Sequence, residues 1–282
     1  TKARKKFEQS PIFQSLIGLD SPLQPRYIDA LFWGSRLLIA DGAEMAFTCK
    51  FRHCRLCNNK RTAKLMAGYG PQVMEWPEIA FLTLTDRAVP KEEITPAINR
   101  RQATFRKIQD TLRKMGMLTQ GIRALEATYN RNADTYHIHY HFQINGMENA
   151  RLYRELWIKH TPTCLPYLQV LKPAERSARS LLELFKYPVK VKFENKYGAF
   201  TAEAIDTIFR ELQGRRTIQS FGGLKKVSDD ISDIDEARDI APDGVYQWVR
   251  YDWFNVDTGE ALAGHVPQYI PKAENLDVIL MN

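Results

Sequence analysis

Three of the chain's six histidines stand at alternate positions, His137, His139 and His141. In an extended strand alternate residues share a face, so the three imidazoles project together while Ile138, Tyr140 and Phe142 project the other way. Neighbouring members of the trio sit about 7 Å apart along the strand, close enough for two rings to converge on one cation. The outer pair, His137 and His141, is about twice as far apart and less suited to share an ion. A third ligand from an adjacent strand completes a better set. If the chain reverses between Asn132 and Ala133, Glu126 falls directly opposite His139 and on its face. A His-His-Glu set joins imidazole nitrogen to hard oxygen; it suits Mn²⁺ or Mg²⁺ when positions stay open, and zinc also fits. A solvated polar hairpin face is the plain alternative, but three alternating histidines with a facing carboxylate favour metal.

A second constellation lies at Glu183-Leu-Phe-Lys-Tyr187-Pro-Val-Lys190. Glu183 and Tyr187 are four residues apart and share a face on a helix. A phenol with a pKa of about 10 is protonated at neutral pH. It becomes a nucleophile when a metal polarises the target phosphate and a base takes its proton. Lys186 and Lys190 can hold flanking phosphates or developing charge, and Glu183 can activate a water in a hydrolytic step. Taken alone, a tyrosine at a helix end is more often a packing residue.

Cys49, Cys54 and Cys57 form a third group, with the close pair of a structural Zn²⁺ site. Zinc takes four ligands; His53, His160 and Cys164 are all open as the fourth. Buried, unliganded thiols are the alternative. Arg52, Arg55, Lys60, Arg61 and Lys64 crowd the same segment, a candidate duplex-binding surface or simply a solvated face.

These groups need elements to position them. Apolar spacing predicts a helix over 26–42 and a strand over 78–89, where Phe81, Thr83 and Thr85 alternate with Leu82 and Leu84. An amphipathic helix follows over 92–116, with Pro96 early and Gly116 beyond its end. Residues 121–130 and 135–147 read as strands joined by the turn 131–134. A helix over 148–160, a strand over 165–173 and a helix over 175–187 come next; Pro188 disfavours helical geometry at Tyr187. One more helix covers 201–214. A tail hairpin spans 246–263 and turns near Asp257–Gly259. Its aromatic residues Tyr246, Trp248, Tyr251, Trp253 and Phe254, interleaved with Arg250, are candidates for base stacking and more commonly core. The middle of the chain therefore reads β, α, β, β, α, β, α. That order predicts an α+β fold in which helices cover one face of a mainly antiparallel sheet, leaving the other face for a site.

Composition narrows the partners. Hydrophobic residues make up 44% of the 282, enough for a real core. No run of about 18 apolar residues exists, so no membrane partner is expected, and the basic N-terminus lacks the apolar region of a secretory signal. The formal charge of +7 favours polyanions. Four cysteines are too few for a disulfide scaffold in a chain this long, which points to a reducing, cytoplasmic setting.

Together the blocks FLTLT at 81–85, RALEATYN…YHIHYHFQI at 123–144, the helix carrying LWIKH, and ELFKYPVK at 183–190 resemble the replication initiators of small rolling-circle plasmids. These form the single-tyrosine, glutamate-assisted branch of the His-hydrophobe-His (HUH) endonucleases. The Cys-rich block and RRTIQSFGGLKK look similar too, so the resemblance spans about residues 45–226. It implies the HUH sheet, with His139 and His141 as metal ligands and Glu126 as the third or near it. Tyr187 would attack a phosphodiester of single-stranded or extruded origin DNA, leaving a 5′-phosphotyrosine and a 3′-OH that primes replication. Glu183 would direct water in the terminating cleavage. His137 departs from the defining pair: it could contact DNA, tune the site or replace Glu126. Tyr197 is a second nearby tyrosine, but no glutamate stands four residues before it. By the same resemblance, partners are plasmid origin DNA with flanking duplex, a host helicase, a single-strand-binding protein and a second copy of the chain, in a bacterial cytoplasm. The implied layout is an N-terminal helical segment at 1–45, a Cys-rich zinc and DNA-binding element at 46–70, the nicking core at 75–226 and an extension with a hairpin at 227–282. A non-catalytic DNA-binding protein on the same scaffold, a relaxase or transposase, and a zinc hydrolase of small molecules are the alternatives. The last leaves the basic charge and the tyrosine helix unexplained.

Overall fold

A computed structural model of the chain describes residues 11–34, 36–40, 43–45, 48–186, 194–195, 198–231, 243–249 and 252–262. Its contacts divide the chain into two units, 1–60 with 230–282, and 61–229.

The first unit begins with helix α1 (11–17) and helix α2 (Gln24–Gly34), followed by strands β1 (Arg36–Ala40) and β2 (Ala43–Met45). The single helix expected over 26–42 is therefore a helix and then a strand. Leu37, Leu38 and Ala40 have apolar spacing that either element would show, and distant pairing decides between them. Leu38 pairs with Val245 and Ile39 with Gly244, more than 200 residues away in the chain. Phe13, Tyr27 and Phe51 meet edge to face or tilted in this unit's core, with centroids 5.8–6.3 Å apart. Helix α3 (Arg55–Met74) contains the point where the units divide.

In the second unit strand β3 (Ile79–Thr85) is followed by helix α4 (Ile94–Lys114), strands β4 (Gly121–Asn130) and β5 (Thr135–Asn145), helix α5 (Met147–His160), strand β6 (Val170–Ala174) and helix α6 (Ala178–Lys186). The short pair β7 (Glu194–Asn195) and β8 (Gly198–Ala199), helix α7 (Ala202–Leu212) and strand β9 (Ile218–Phe221) complete it. The order β, α, β, β, α, β, α is the one the sequence implies. The expected strand over 165–173 is shorter, because Pro166–Leu168 forms a 3₁₀ turn. Proline lacks the donor a ladder needs and its fixed φ suits the first position of such a turn.

The sheet runs β6-β3-β5-β4-β9, and every pairing is antiparallel. One face carries Leu82, Leu84, Leu125, Ile138, Tyr140, Phe142 and Ile144, all buried. Helices α4 and α5 cover it, with Phe105 5.9 Å from Phe142 and Trp157 6.3 Å from Tyr140. Helix α4 buries Ile94, Ala97, Ile98, Arg101, Phe105, Ile108 and Leu112, one stripe at helical spacing. Gly116, at φ 75, then takes the left-handed conformation that ends such a helix with least strain.

The opposite face is not left open as expected. Ile79, Ile122 and Ala124 give one part of it an apolar surface. Leu65, Tyr69 and Val73 of α3, Trp76 just after it, and Leu181, Leu184 and Phe185 of α6 pack there. The polar part of that face carries the histidines.

Strands β10 (Gly244–Val249) and β11 (Asp252–Asn255) belong to the first unit, whose sheet runs β11-β10-β1-β2. The tail therefore reverses twice. Strands β10 and β11 pair antiparallel up to Val249 with Asp252, and the expected turn near Asp257–Gly259 leads only to a single bridge between Phe254 and Ala261. Trp253 is fully buried and serves as core. Arg250, Tyr251 and the side chain of Trp248 lie outside the described residues. Among the described residues, no helix is long and apolar enough to cross a membrane.

Candidate active site

Strand β5 is the centre of the sheet, flanked by β3 and β4, and its register decides what meets the histidines. The turn 131–134 sets Glu126 opposite His139, with Thr85 on the other side; one row along, His141 lies between Thr83 and Ala124. Ala124 is small, so the longer Glu126 side chain reaches diagonally past it. One carboxylate oxygen, Oε2, accepts from Nε2 of His139 at 2.7 Å and from Nε2 of His141 at 2.8 Å. All three residues are buried, at 7–9% exposure.

Burial raises the pKa of the Glu126 carboxyl, but hydrogen bonds from His139 and His141 outweigh it and hold the group at about 2. The carboxylate is thus ionised at any physiological pH, as a metal ligand must be. The ligand atoms of Glu126, His139 and His141 lie within 4.8 Å of one another. Two imidazoles and a carboxylate fit a divalent cation by donor type as well as by spacing. His139 Nδ1 is buried with no hydrogen-bond partner among the described residues.

Thr83 supplies what the ligand set alone lacks. Its Oγ1 lies 3.0 Å from Nδ1 of His141. While Nε2 of His141 donates to Glu126, the threonine hydroxyl can donate to Nδ1. When Nε2 gives its lone pair to a cation, Nδ1–H donates to the hydroxyl instead. Such outer contacts orient a ligating ring and fix its tautomer. We expect Thr83→Val, which keeps the shape and loses the hydroxyl, to weaken Mn²⁺ binding by roughly 10–100-fold. Calorimetric titration of Mn²⁺ into the metal-free protein measures this; equal affinities would mean that Thr83 does not orient His141.

His137 lies one row further along and outside the set of mutually close ligand atoms. Its Nε2 meets Thr85 Oγ1 in a short hydrogen bond. Burial first, then the positive fields of His139 and Arg101, lower its pKa to about 4, so its ring is neutral at physiological pH. The end of β3 is pinned from two further directions. Thr85 N donates to the buried Gln169 at 2.8 Å, and Trp157 Nε1 donates to the Thr85 carbonyl at 3.0 Å.

Helix α6 lies on the same sheet face. Gln143, two residues beyond His141, donates from Nε2 to Ser180 Oγ at 2.9 Å and ties the helix to β5. Leu181, Leu184 and Phe185 point into the core, while Glu183 lines a cleft of about 400 Å³ with Phe81, Lys172, Arg179 and Ser180. Phe81 links that cleft to the cluster, its ring 5.7 Å from that of His141. Lys186 ends the helix, and its side chain, Tyr187, Lys190 and Tyr197 all lie outside the described residues. Phe81, Lys172, Arg179 and Gln169 are absent from the sequence-based candidates. Phe81 carried a signal there, since it shares a strand face with Thr83 and Thr85.

In the first unit Cys49, Cys54 and Cys57 are buried with their sulfurs within 4.8 Å of one another, and those of Cys49 and Cys57 are 3.5 Å apart. Zinc–sulfur bonds of 2.3 Å in a tetrahedron set sulfurs about 3.8 Å apart. Hydrogen bonding between Cys49 and Cys54 pushes the Cys49 thiol up and holds Cys54 well below the usual thiol range. Among the described residues, no fourth His, Cys, Asp or Glu joins the group; of the three candidates, His53 shares the cysteines' unit, while His160 and Cys164 belong to the other. Arg55 is exposed, Lys60 is half-buried and Arg61 is buried.

Comparison with known proteins gives a family. A family model described as "Replication protein" matches residues 43–244. "Protein rep" of Bacillus amyloliquefaciens is 27% identical over 255 residues, covering 73% of this chain and 74% of that protein. "Protein rep" of Staphylococcus aureus is 32% identical over 163 residues, covering 51% of this chain and 70% of that protein. No solved structure matches.

Proposed function

This chain belongs to the replication protein family, and from that premise we propose that it nicks one strand of a plasmid origin to start and end rolling-circle replication, as an HUH endonuclease. The observation that carries the reading is the buried Glu126–His139–His141 cluster on the sheet face where α6 also packs. That helix bears Glu183 and ends one residue before Tyr187.

The chemistry is a transesterification. Tyr187 Oη attacks the scissile phosphorus and gives up its proton, the bond from phosphorus to the 3′ oxygen breaks, and that oxygen leaves as a 3′-OH after taking a proton. The 5′ phosphate stays on the tyrosine. A divalent cation held by Glu126, His139 and His141, manganese or magnesium, would polarise the phosphate. Lys186 and Lys190 hold the flanking phosphates. In the closing step Glu183 takes a proton from water, which cleaves a second phosphodiester and lets the cycle end without a second tyrosine. The cysteine trio holds a structural Zn²⁺, with Arg55 and Lys60 beside it on flanking duplex. The protein acts in the cytoplasm on plasmid origin DNA, with a host helicase, a single-strand-binding protein and a second copy of the chain as partners.

The test is incubation of the full chain with Mn²⁺ and labelled single-stranded oligonucleotides tiling the cognate origin, resolved on a denaturing gel. A covalent adduct is expected, mapping to the Tyr187 peptide by mass spectrometry and disappearing with a chelator. No adduct with any of several divalent metals would overturn the nicking reading and leave a DNA-binding protein without cleavage activity.

A further inference from the structure

The cleft beside the metal cluster has a use that the nicking chemistry does not by itself assign. Its wall on β6 carries Lys172, whose Cα pairs directly with Phe81 across the ladder. The ammonium sits 5.3 Å from the centroid of the Phe81 ring, and that ring is 5.7 Å from the His141 ring. The cation is thus held over an aromatic face one residue pair along from Thr83. That distance along a strand is about 7 Å, the reach of a single nucleotide. Arg179, on the first turns of α6, lines the same cleft from the other side.

Four charged side chains line this space, Lys172, Arg179, Glu175 and Glu183. Lys172 and Arg179 are exposed, and neither forms an ion pair among the described residues. The space holds as many carboxylates as cations, so an anion is favoured only where it meets Lys172 and Arg179. The two carboxylates set a limit on size. A long run of phosphates would meet Glu175 or Glu183, so the space suits a single phosphate.

We propose that the cleft formed by Phe81, Lys172 and Arg179 is a subsite for one phosphodiester of single-stranded DNA, next to the phosphate that is cut. The cation–π contact keeps Lys172 in place before the strand arrives, which lowers the ordering cost of binding. The subsite would set which phosphate of the strand rests against Glu126, His139 and His141. This deepens the nicking reading and rests on it for the identity of the neighbouring phosphate, but its test does not need cleavage.

The probe is a fluorescein-labelled single-stranded oligonucleotide of about 20 nucleotides, titrated with the full chain in chelator so that no chemistry occurs. Binding is followed by anisotropy at several salt concentrations. Each phosphate contact with a single strand contributes about 0.7 to the slope of log affinity against log salt. The double variant Lys172→Ala with Arg179→Ala removes the contacts to that one phosphate and should therefore lower the slope by about 0.7. Both side chains are exposed, so the fold should survive, and an unchanged melting temperature would establish that. The control is Lys107→Ala with Lys114→Ala on α4, which covers the opposite sheet face; it should leave the slope unchanged. A slope equal to wild type in the cleft variant, an equal fall in the control, or no binding by the wild-type chain would each overturn the proposal. A reduced slope in a protein that never forms a covalent adduct would uphold the subsite while the nicking reading fails.

Discussion

Replacing Tyr187 with phenylalanine is expected to abolish the covalent protein–DNA adduct and to lower strand cleavage by at least about 10⁴-fold. The substitution removes one oxygen and keeps the ring, so whatever the ring packs against is retained. Affinity for single-stranded DNA should stay within a few-fold. Glu183→Gln is the informative companion. Glu183 lines the cleft on α6 and is not among the cluster's ligand atoms. Its loss should leave the first cleavage largely intact and slow the water-dependent second cleavage by about 10²–10⁴-fold, the usual span for a general base. The adduct should then accumulate. A denaturing gel over time separates the cases. If Tyr187→Phe still forms an adduct, a different tyrosine attacks, and Tyr197 is the next to test. If Glu183→Gln instead stops the first cleavage, the glutamate takes the tyrosine's proton, and the division of labour between the two steps is wrong.

Glu126→Gln should have the second largest effect. The carboxylate accepts from both imidazoles, at 2.7 and 2.8 Å. The amide is nearly the same shape, carries no charge and brings a donor where two donors already point. Mn²⁺ affinity and Mn²⁺-dependent cleavage should each fall by on the order of 100-fold or more, since even outer contacts to metal ligands are worth 10–100-fold. The same substitution has a pH signature. The carboxyl lies at about 2 in the folded chain against an ordinary value of 4.5. A group whose pKa is lowered by folding stabilises the fold above its unfolded value, and that contribution is lost as pH falls toward the folded value. The metal-free wild type should therefore lose stability between about pH 4.5 and pH 2, by about 3 kcal/mol from this group. Glu126→Gln should lack that part of the acid transition. Chemical denaturation in chelator across this range checks it. Parallel pH profiles for the two proteins would show that the carboxylate is not held by the histidines as the geometry indicates.

Much of the unit that carries the histidines is local in the chain, and that part is legible from residue spacing. A four-residue turn at 131–134 between two alternating runs leaves one register in which apolar residues face the helices. That register puts Glu126 opposite His139. A shift of one residue would turn Ile138, Tyr140 and Phe142 out of the core. The helix α4 stripe ending at Gly116, and the α6 stripe of Leu181, Leu184 and Phe185, follow in the same way from spacing. Contacts between distant segments are another matter. Residues 36–40 look helical by periodicity and become a strand because Arg36–Ile39 pairs with Gly244–Gln247. Nothing local records that the apolar part of the histidine face is covered by α3 and α6. The threonine at 83 is visible in the sequence, but its bond to His141 Nδ1 depends on β3 lying beside β5 across 58 residues of chain. Lys172 meets Phe81 only because β6 returns to the far edge of β3. The sequence by itself determined the strand that carries the histidines, its partner strand and the register between them, since a short turn and alternating burial admit one pairing. The tertiary structure alone decided what surrounds the cluster, because those neighbours arrive through long-range pairing that local periodicity does not encode.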